Sequence, residues 1–348
     1  MEIDSAAESD IARPAWTGLF PWQRDGARSA LRHRDRWPHA LLITGREGIG
    51  KRGFALELAR SLLCETPDAE GFACGSCASC RYAAAGQHPD LRIVEPVEID
   101  EDNIATPSLW INVAHIRALI DWAALTSHRR VAKVAVIVPA ERMNPAAANA
   151  LLKTLEEPPS GTFLILVAHQ SGRLPPTIRS RCQRLAAPNP TQATARTWLI
   201  QQGVAEPERL LSQSGGAPLA ALRVADPGYQ AERSVWLDAL AAPARLDSID
   251  LAARVDRAPR DARKALLGAA IDWLMDWCVD LAAVRAGGAP THNPDYATPI
   301  ASLAAAVAPL PLFRYHRSLL QERAQIAHPL QPRLVAEALL FEYQKLFG

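Results

Sequence analysis

The chain has 348 residues, 49% of them apolar and 22% charged, the balance of folded globular domains and unlike disordered, collagenous or coiled-coil sequences. At roughly 150 residues per domain this length predicts two or three domains, which excludes a single small module. Lys and Arg number 38 against 37 Asp and Glu, a formal charge of +1, so no whole-molecule field holds nucleic acid or anionic lipid.

In chain order, Met1 to Asp10 carries four acids and no apolar core of signal-peptide length, so a cytoplasmic protein is expected. Residues 39 to 187 then alternate short apolar runs with helical patterns, the signature of a parallel sheet flanked by helices. His39 to Thr44 reads as a strand, Gly45 to Gly50 as a glycine-rich turn, and Arg52 to Cys64 as a helix with Phe54, Leu58 and Leu62 facing a core. Leu91 to Val94, Val131 to Val138 and Phe163 to Ala168 read as further buried strands. A helix is expected over Asn144 to Glu157, with Asn144 as N-cap, Pro145 at the first helical position and Pro158-Pro159 blocking continuation.

After Pro188-Asn189-Pro190 the β-branched runs disappear and helical spacing takes over. Ser214 to Pro218 marks a turn inside a small helical unit, and Asp226-Pro227-Gly228 marks the next boundary. The expected division is an α/β domain over 1–187, an all-α domain over 188–228 and a larger all-α domain over 229–348, with a long loop at 286 to 299. Trp273 and Trp277 are spaced as a helix core stripe; His33, His39 and His115 are isolated. The longest apolar stretch, Ala301 to Phe313, contains two prolines and falls short of the roughly 20 residues of a membrane-spanning helix, so no membrane partner is expected.

Four features carry chemistry. Gly45-Arg46-Glu47-Gly48-Ile49-Gly50-Lys51 matches the loop whose backbone N–H groups and lysine cradle phosphates, and it lies between a predicted strand and helix. The following residue is Arg52, where a magnesium-binding hydroxyl belongs. The alternative is a glycine-rich turn without ligand. The strand Val134 to Val138 ends in Pro139-Ala140 with no carboxylate before Glu141, so a second magnesium contact is also missing; Glu141, beyond the strand tip, either substitutes for it or, more simply, is a solvated loop residue. ATP or ADP binding stays open and turnover is not expected.

Cys64, Cys74, Cys77 and Cys80 are four of six cysteines, and four thiolates suit one tetrahedral zinc that cross-links a small module at about 64–86. A closed all-cysteine set leaves no open position, so the expected role is structural. Finally, Pro175-Pro176-Thr177-Ile178-Arg179-Ser180-Arg181-Cys182 follows the last predicted strand. Arg181 suits either a solvated surface or a guanidinium supplied in trans to a neighbour's phosphoryl group. Cys182, apart from the other thiols, reads as a small core residue.

Pro21-Trp22-Gln23, His39 to Ile43, the cysteine cluster, Ala148 to Pro159 and Thr177 to Cys182 together resemble the delta-prime subunits of the bacterial DNA polymerase III clamp loader, within the AAA+ class. The likeness is strong from about 21 to 225; beyond that it rests on length and helical character. It implies a RecA-like AAA+ domain with an inserted zinc module, a helical lid, and a helical collar that assembles a pentamer with delta and gamma or tau subunits. That assembly opens the sliding clamp and places it on primed DNA using ATP. Arg181 then corresponds to the finger reaching a neighbouring gamma/tau ATP site. The ATP-hydrolysing members carry Asp-Glu where Val138 and Pro139 stand here, and a sensing arginine where Leu219 stands. The implied subunit is a non-hydrolysing stator, part of a nucleotidyltransferase holoenzyme without ATPase activity of its own. Lys51, which some delta-prime subunits lack, keeps an active gamma/tau-type ATPase as the competing reading. A zinc-dependent nucleic-acid-binding module is a third, disfavoured by the near-zero charge.

Overall fold

The computed structural model describes residues 18–32, 34–99, 105–108, 110–260, 262–326 and 331–348; Met1 to Asp10 and His33 lie outside them. By contacts the chain divides into two compact units, 1–198 with 217–220, and 199–216 with 221–348.

The first unit is built on a five-stranded sheet. In chain order it contains α1 (Arg24–Leu31), β1 (Ala40–Thr44), α2 (Lys51–Leu63), α3 (Ala78–Ala84), β2 (Leu91–Val94), β3 (Val97–Ile99), β4 (Ala105–Pro107), α4 (Val113–Ala124), β5 (Lys133–Ile137), α5 (Pro145–Glu156), β6 (Thr162–Ala168), α6 (Pro176–Arg179) and β7 (Gln183–Ala186). The sheet order is β2-β5-β6-β1-β7, every pairing parallel, while β3 and β4 form a separate antiparallel pair. Parallel neighbours require crossover helices on the faces, which is why the inner strands are apolar at nearly every position. Alternate side chains then serve two cores. Leu41, Ile43, Val134, Val136, Ile165 and Val167 pack with Phe54, Leu58 and Leu62 of α2. Leu42, Ala135, Ile137, Leu164 and Leu166 pack with Ile116 and Leu119 of α4 and Leu151 and Leu155 of α5. This is the parallel sheet covered by helices on both faces that the sequence led one to expect.

The expected helix ends hold. Asn144 Oδ1 accepts from the Ala147 N–H at 2.8 Å, with Pro145 at the first helical position. Two features differ. Strand β7 pairs with β1 from Leu41–Gln183 to Thr44–Ala186, yet its Gln-Arg-Leu-Ala sequence has only one face on the protein and lacks the apolar run of the inner strands. The β3–β4 pair is three residues per strand, too short for a periodicity to register.

From the end of the sheet the chain is helical: α7 (Gln192–Gln201), α8 (Pro207–Gln213), α9 (Pro218–Val224), α10 (Pro227–Leu240), α11 (Ser248–Arg257), α12 (Arg263–Arg285), α13 (Ala297–Ala306), α14 (Pro309–Gln325) and α15 (Pro332–Gln344). The second unit's core is centred on α12, where Trp273, Leu274, Trp277 and Leu281 are buried with Trp236 and Tyr343. Trp277 Nε1 donates to the Tyr343 hydroxyl at 2.9 Å. The loop after α12 is pinned: buried Asp280 accepts from the N–H groups of Thr291 (2.7 Å), His292 (3.1 Å) and Asn293 (2.7 Å). It ends at Tyr296, just before α13, three residues short of the expected limit. No single helix among the described residues is long and apolar enough to cross a membrane.

Candidate functional site

The glycine-rich loop joins β1 to α2, and Gly50 is the N-cap of α2 with φ of 85°. Two glycines are demanded by close packing as well as by positive φ. A Cβ on Gly48 would lie 2.9 Å from the Ala220 Cβ, and one on Gly50 would lie 2.5 Å from the Phe20 ring. The loop is held by protein groups: the Leu219 N–H donates to the Gly48 carbonyl at 3.0 Å. Trp22 Nε1 donates to the Ile49 carbonyl at 3.0 Å, and Gln23 Nε2 to those of Ile49 (3.0 Å) and Gly50 (2.9 Å). Phe20 stacks on Trp22 with centroids 5.0 Å apart, and Trp198 meets both edge-on.

Lys51 is 2% exposed, and its ammonium donates to the carbonyl of Arg46 within its own loop. Burial lowers its pKa to about 8, against the opposing pull of Glu47 and Glu141. Arg52 is committed to a fork on Glu95, Nε to Oε1 at 2.7 Å and Nη2 to Oε2 at 3.2 Å. Gly45, with φ of 155°, starts the turn. A guanidinium stands at the position of the magnesium-binding hydroxyl, and β5 runs out into Val138 and Pro139, neither of which carries a carboxylate.

Glu141 corrects its expected place in solvent. It is half-buried, and its Oε1 accepts from the N–H groups of His169 (2.8 Å) and Gln170 (2.9 Å) just beyond β6. The sequence signal was absent because the partner amides lie 28 and 29 positions away.

The four expected cysteines do converge. Their Sγ atoms all lie within 4.8 Å of one another, with Cys64 and Cys77 at 3.9 Å and Cys74 and Cys80 at 4.0 Å. Zinc–sulfur bonds of about 2.3 Å place tetrahedral sulfurs about 3.8 Å apart, so the cluster fits a zinc-sized ion. Cys64 sits at the C-cap of α2 and Cys77 at the N-cap of α3. Backbone N–H groups approach the sulfurs as they would thiolates: Cys74 to Cys64 at 3.3 Å, Cys77 to Cys74 at 3.3 Å and Cys80 to Cys77 at 3.4 Å. The Thr66 hydroxyl, with the amides of Ser76 and Cys77, pulls the Cys74 thiol down to about 5, while burial pushes Cys80 up to about 12. A bound cation would favour all four as thiolates. Around the cluster, Glu65 accepts from Ser79 Oγ (2.9 Å) and Arg129 Nε (3.0 Å).

Arg181 follows α6, two-thirds covered. Its Nε donates to Glu156 Oε1 at 2.8 Å, its Nη2 reaches the same oxygen, and its Nη1 donates to the Thr177 carbonyl at 3.0 Å. Glu156, the last residue of α5, is a partner that spacing alone did not indicate. Cys182 is buried, as expected, and burial raises its thiol to about 11.

Comparison with known proteins bears on this geometry. A family model described as DNA polymerase III, delta subunit, matches residues 28–191. The chain is 42% identical over 220 residues to DNA polymerase III subunit delta' of Pseudomonas aeruginosa, a match covering 62% of this chain and 64% of that protein. It is 32% identical over 299 residues to the corresponding subunit of Escherichia coli, covering 83% of this chain and 84% of that protein. It is also 36% identical over 144 residues to DNA polymerase III subunit tau of Salmonella typhimurium, covering 41% of this chain and 21% of that protein. With a RecA-like sheet, a clustered four-cysteine module and a relative matched over most of its length, the chain belongs to the family of DNA polymerase III delta' subunits.

Proposed function

We propose that this chain works as the delta'-type stator of a clamp loader, hydrolysing no ATP itself and lending Arg181 in trans to the ATP site of a gamma/tau neighbour. The observation that carries the reading is how the loop's groups are engaged. The Lys51 ammonium is turned onto the Arg46 carbonyl, Arg52 is paired with Glu95, and Glu141 accepts from the ends of β6. Val138 and Pro139, where β5 ends, carry no carboxylate to hold magnesium and orient water, as phosphoryl transfer requires. Leu219, in the place of a sensing arginine, offers only its backbone to Gly48.

In this reading the chain acts in the cytoplasm, in a hetero-pentamer with delta and gamma/tau, and meets the sliding clamp and primed DNA through that complex. The division into AAA+ (1–187), lid (188–228) and collar (229–348) belongs to the same proposal. Zinc on Cys64, Cys74, Cys77 and Cys80 supplies a structural cross-link for a module too small to sustain a core.

The test uses the reconstituted loader and the purified chain. Arg181→Ala is expected to lower DNA-stimulated ATP turnover and clamp loading; a trans arginine is worth about 10³ to 10⁵ in other phosphoryl-transfer systems. The purified chain alone is expected to release no ADP. Wild-type loading by the Arg181→Ala complex, or ATP turnover by the isolated chain that Lys51→Ala abolishes, refutes the reading.

A further inference from the structure

The Arg181 guanidinium is held by its own chain in a way that leaves one edge available. Of its five N–H groups, those of Nε and one of Nη2 go to Glu156 Oε1, and one of Nη1 goes to the Thr177 carbonyl. By count, one N–H remains on each terminal nitrogen, the pair that contacts a phosphate end-on. Glu156 is an odd residue for its position as helix chemistry goes. A carboxylate on the last residue of α5 stands at the negative end of the helix dipole, where it costs stability. A guanidinium beside it is favoured by both charges.

We infer that Glu156 is a positioning residue for Arg181: its carboxylate takes the Nε side of the guanidinium, and so aims the Nη1–Nη2 edge outward at the neighbour's phosphate. The inference rests on the finger reading above and deepens it. Glu156 touches no phosphate itself. Thr177 contributes a backbone carbonyl one helical turn before Arg181, so only the glutamate contact is open to substitution. Both side chains are partly solvated, 33% and 49% exposed, so the pair orients the arginine without locking it against the small adjustments of assembly.

The experiment compares loaders reconstituted with wild-type, Glu156→Ala, Glu156→Gln, Arg181→Ala and Glu156→Ala/Arg181→Ala chains, with Glu157→Ala as a control for loss of charge at the same helix end. Steady-state ATP turnover is measured with clamp and primed DNA across ATP concentration. Glu156→Ala is expected to lower kcat with KM unchanged, by up to about 10²-fold, the cost of a misplacement of roughly 1 Å, and by less than Arg181→Ala. Glu156→Gln, which keeps an acceptor oxygen at the same reach, is expected to recover part of the loss, and the double variant to match Arg181→Ala. Wild-type kcat in both Glu156 variants, with Arg181→Ala defective, overturns the inference while leaving the finger standing. A faster Glu156→Ala loader, or independent losses in the double variant, also overturns it. A normal Arg181→Ala loader refutes the finger reading, a separate outcome.

Discussion

Glu141 Oε1 accepts hydrogen bonds from the backbone N–H groups of His169 at 2.8 Å and Gln170 at 2.9 Å, tying the segment after β5 to the end of β6. The acid closest in sequence to the tip of the magnesium-type strand is therefore a bracket between two strand ends. Glu141→Ala should lower stability by about 1–3 kcal/mol, the cost of leaving such amides unpaired, and leave ATP turnover by the isolated chain at background. Urea unfolding and an ADP-release assay check the two halves. A stability unchanged within error would show that the bracket contributes nothing.

Lys51 should make stability depend on alkaline pH. Burial holds its ammonium at about 8 in the folded chain, below the ordinary lysine value of 10.5, so between these values the unfolded state binds more protons than the folded one. Stability contributed at this position therefore rises as pH increases from about 8 to 10.5. Lys51→Met removes the titrating group. The difference in urea midpoint between wild type and variant should shift toward the wild type over that window, and a constant difference would contradict the burial.

Two glycines with similar backbone angles should respond differently to alanine. Gly50 and Gly161 have φ of 85° and 71°, so both pay for a left-handed residue, about 1–3 kcal/mol. The Gly50 Cβ would also meet the Phe20 ring at 2.5 Å, whereas nothing lies within 4 Å of one on Gly161. Overpacking adds about 1–3 kcal/mol, so Gly50→Ala should melt lower than Gly161→Ala. Equal melting temperatures would refute the close packing of Phe20 on the loop.

Metal analysis of the purified chain should return about one zinc per chain, and alanine at Cys64, Cys74, Cys77 or Cys80 should abolish it, because structural sites depend on all four ligands. Limited proteolysis should then cut first between residues 64 and 86, leaving the sheet intact. Full zinc retention in Cys74→Ala would remove Cys74 from the ligand set.

The inner strands, α2, α5 and the cysteine cluster were legible in sequence because each depends on local pattern. Leu41 to Ile43 and Val134 to Ile137 are apolar throughout since both sheet faces are covered. Asn144-Pro145 and Pro158-Pro159 mark helix ends by backbone chemistry alone, and two-residue gaps between Cys74, Cys77 and Cys80 bring thiols together around a single turn. The edge strand β7 was not legible, since exposed residues such as Gln183 and Arg184 carry no apolar run.

By itself, then, the sequence determined that a parallel sheet would form, where α2 and α5 start and stop, which thiols would gather, and that the β5 tip lacks a carboxylate. Only the tertiary structure decided what the remaining polar groups do. Glu141 meets His169, Lys51 turns onto Arg46, Arg52 forks onto Glu95 and Glu156 grips Arg181. The physical reason is reach: apolar periodicity and capping are written within a few residues of chain, whereas three of these four contacts, all but the one within the loop, join groups 25 to 43 positions apart. Such partners become neighbours only once the sheet has set its strand order.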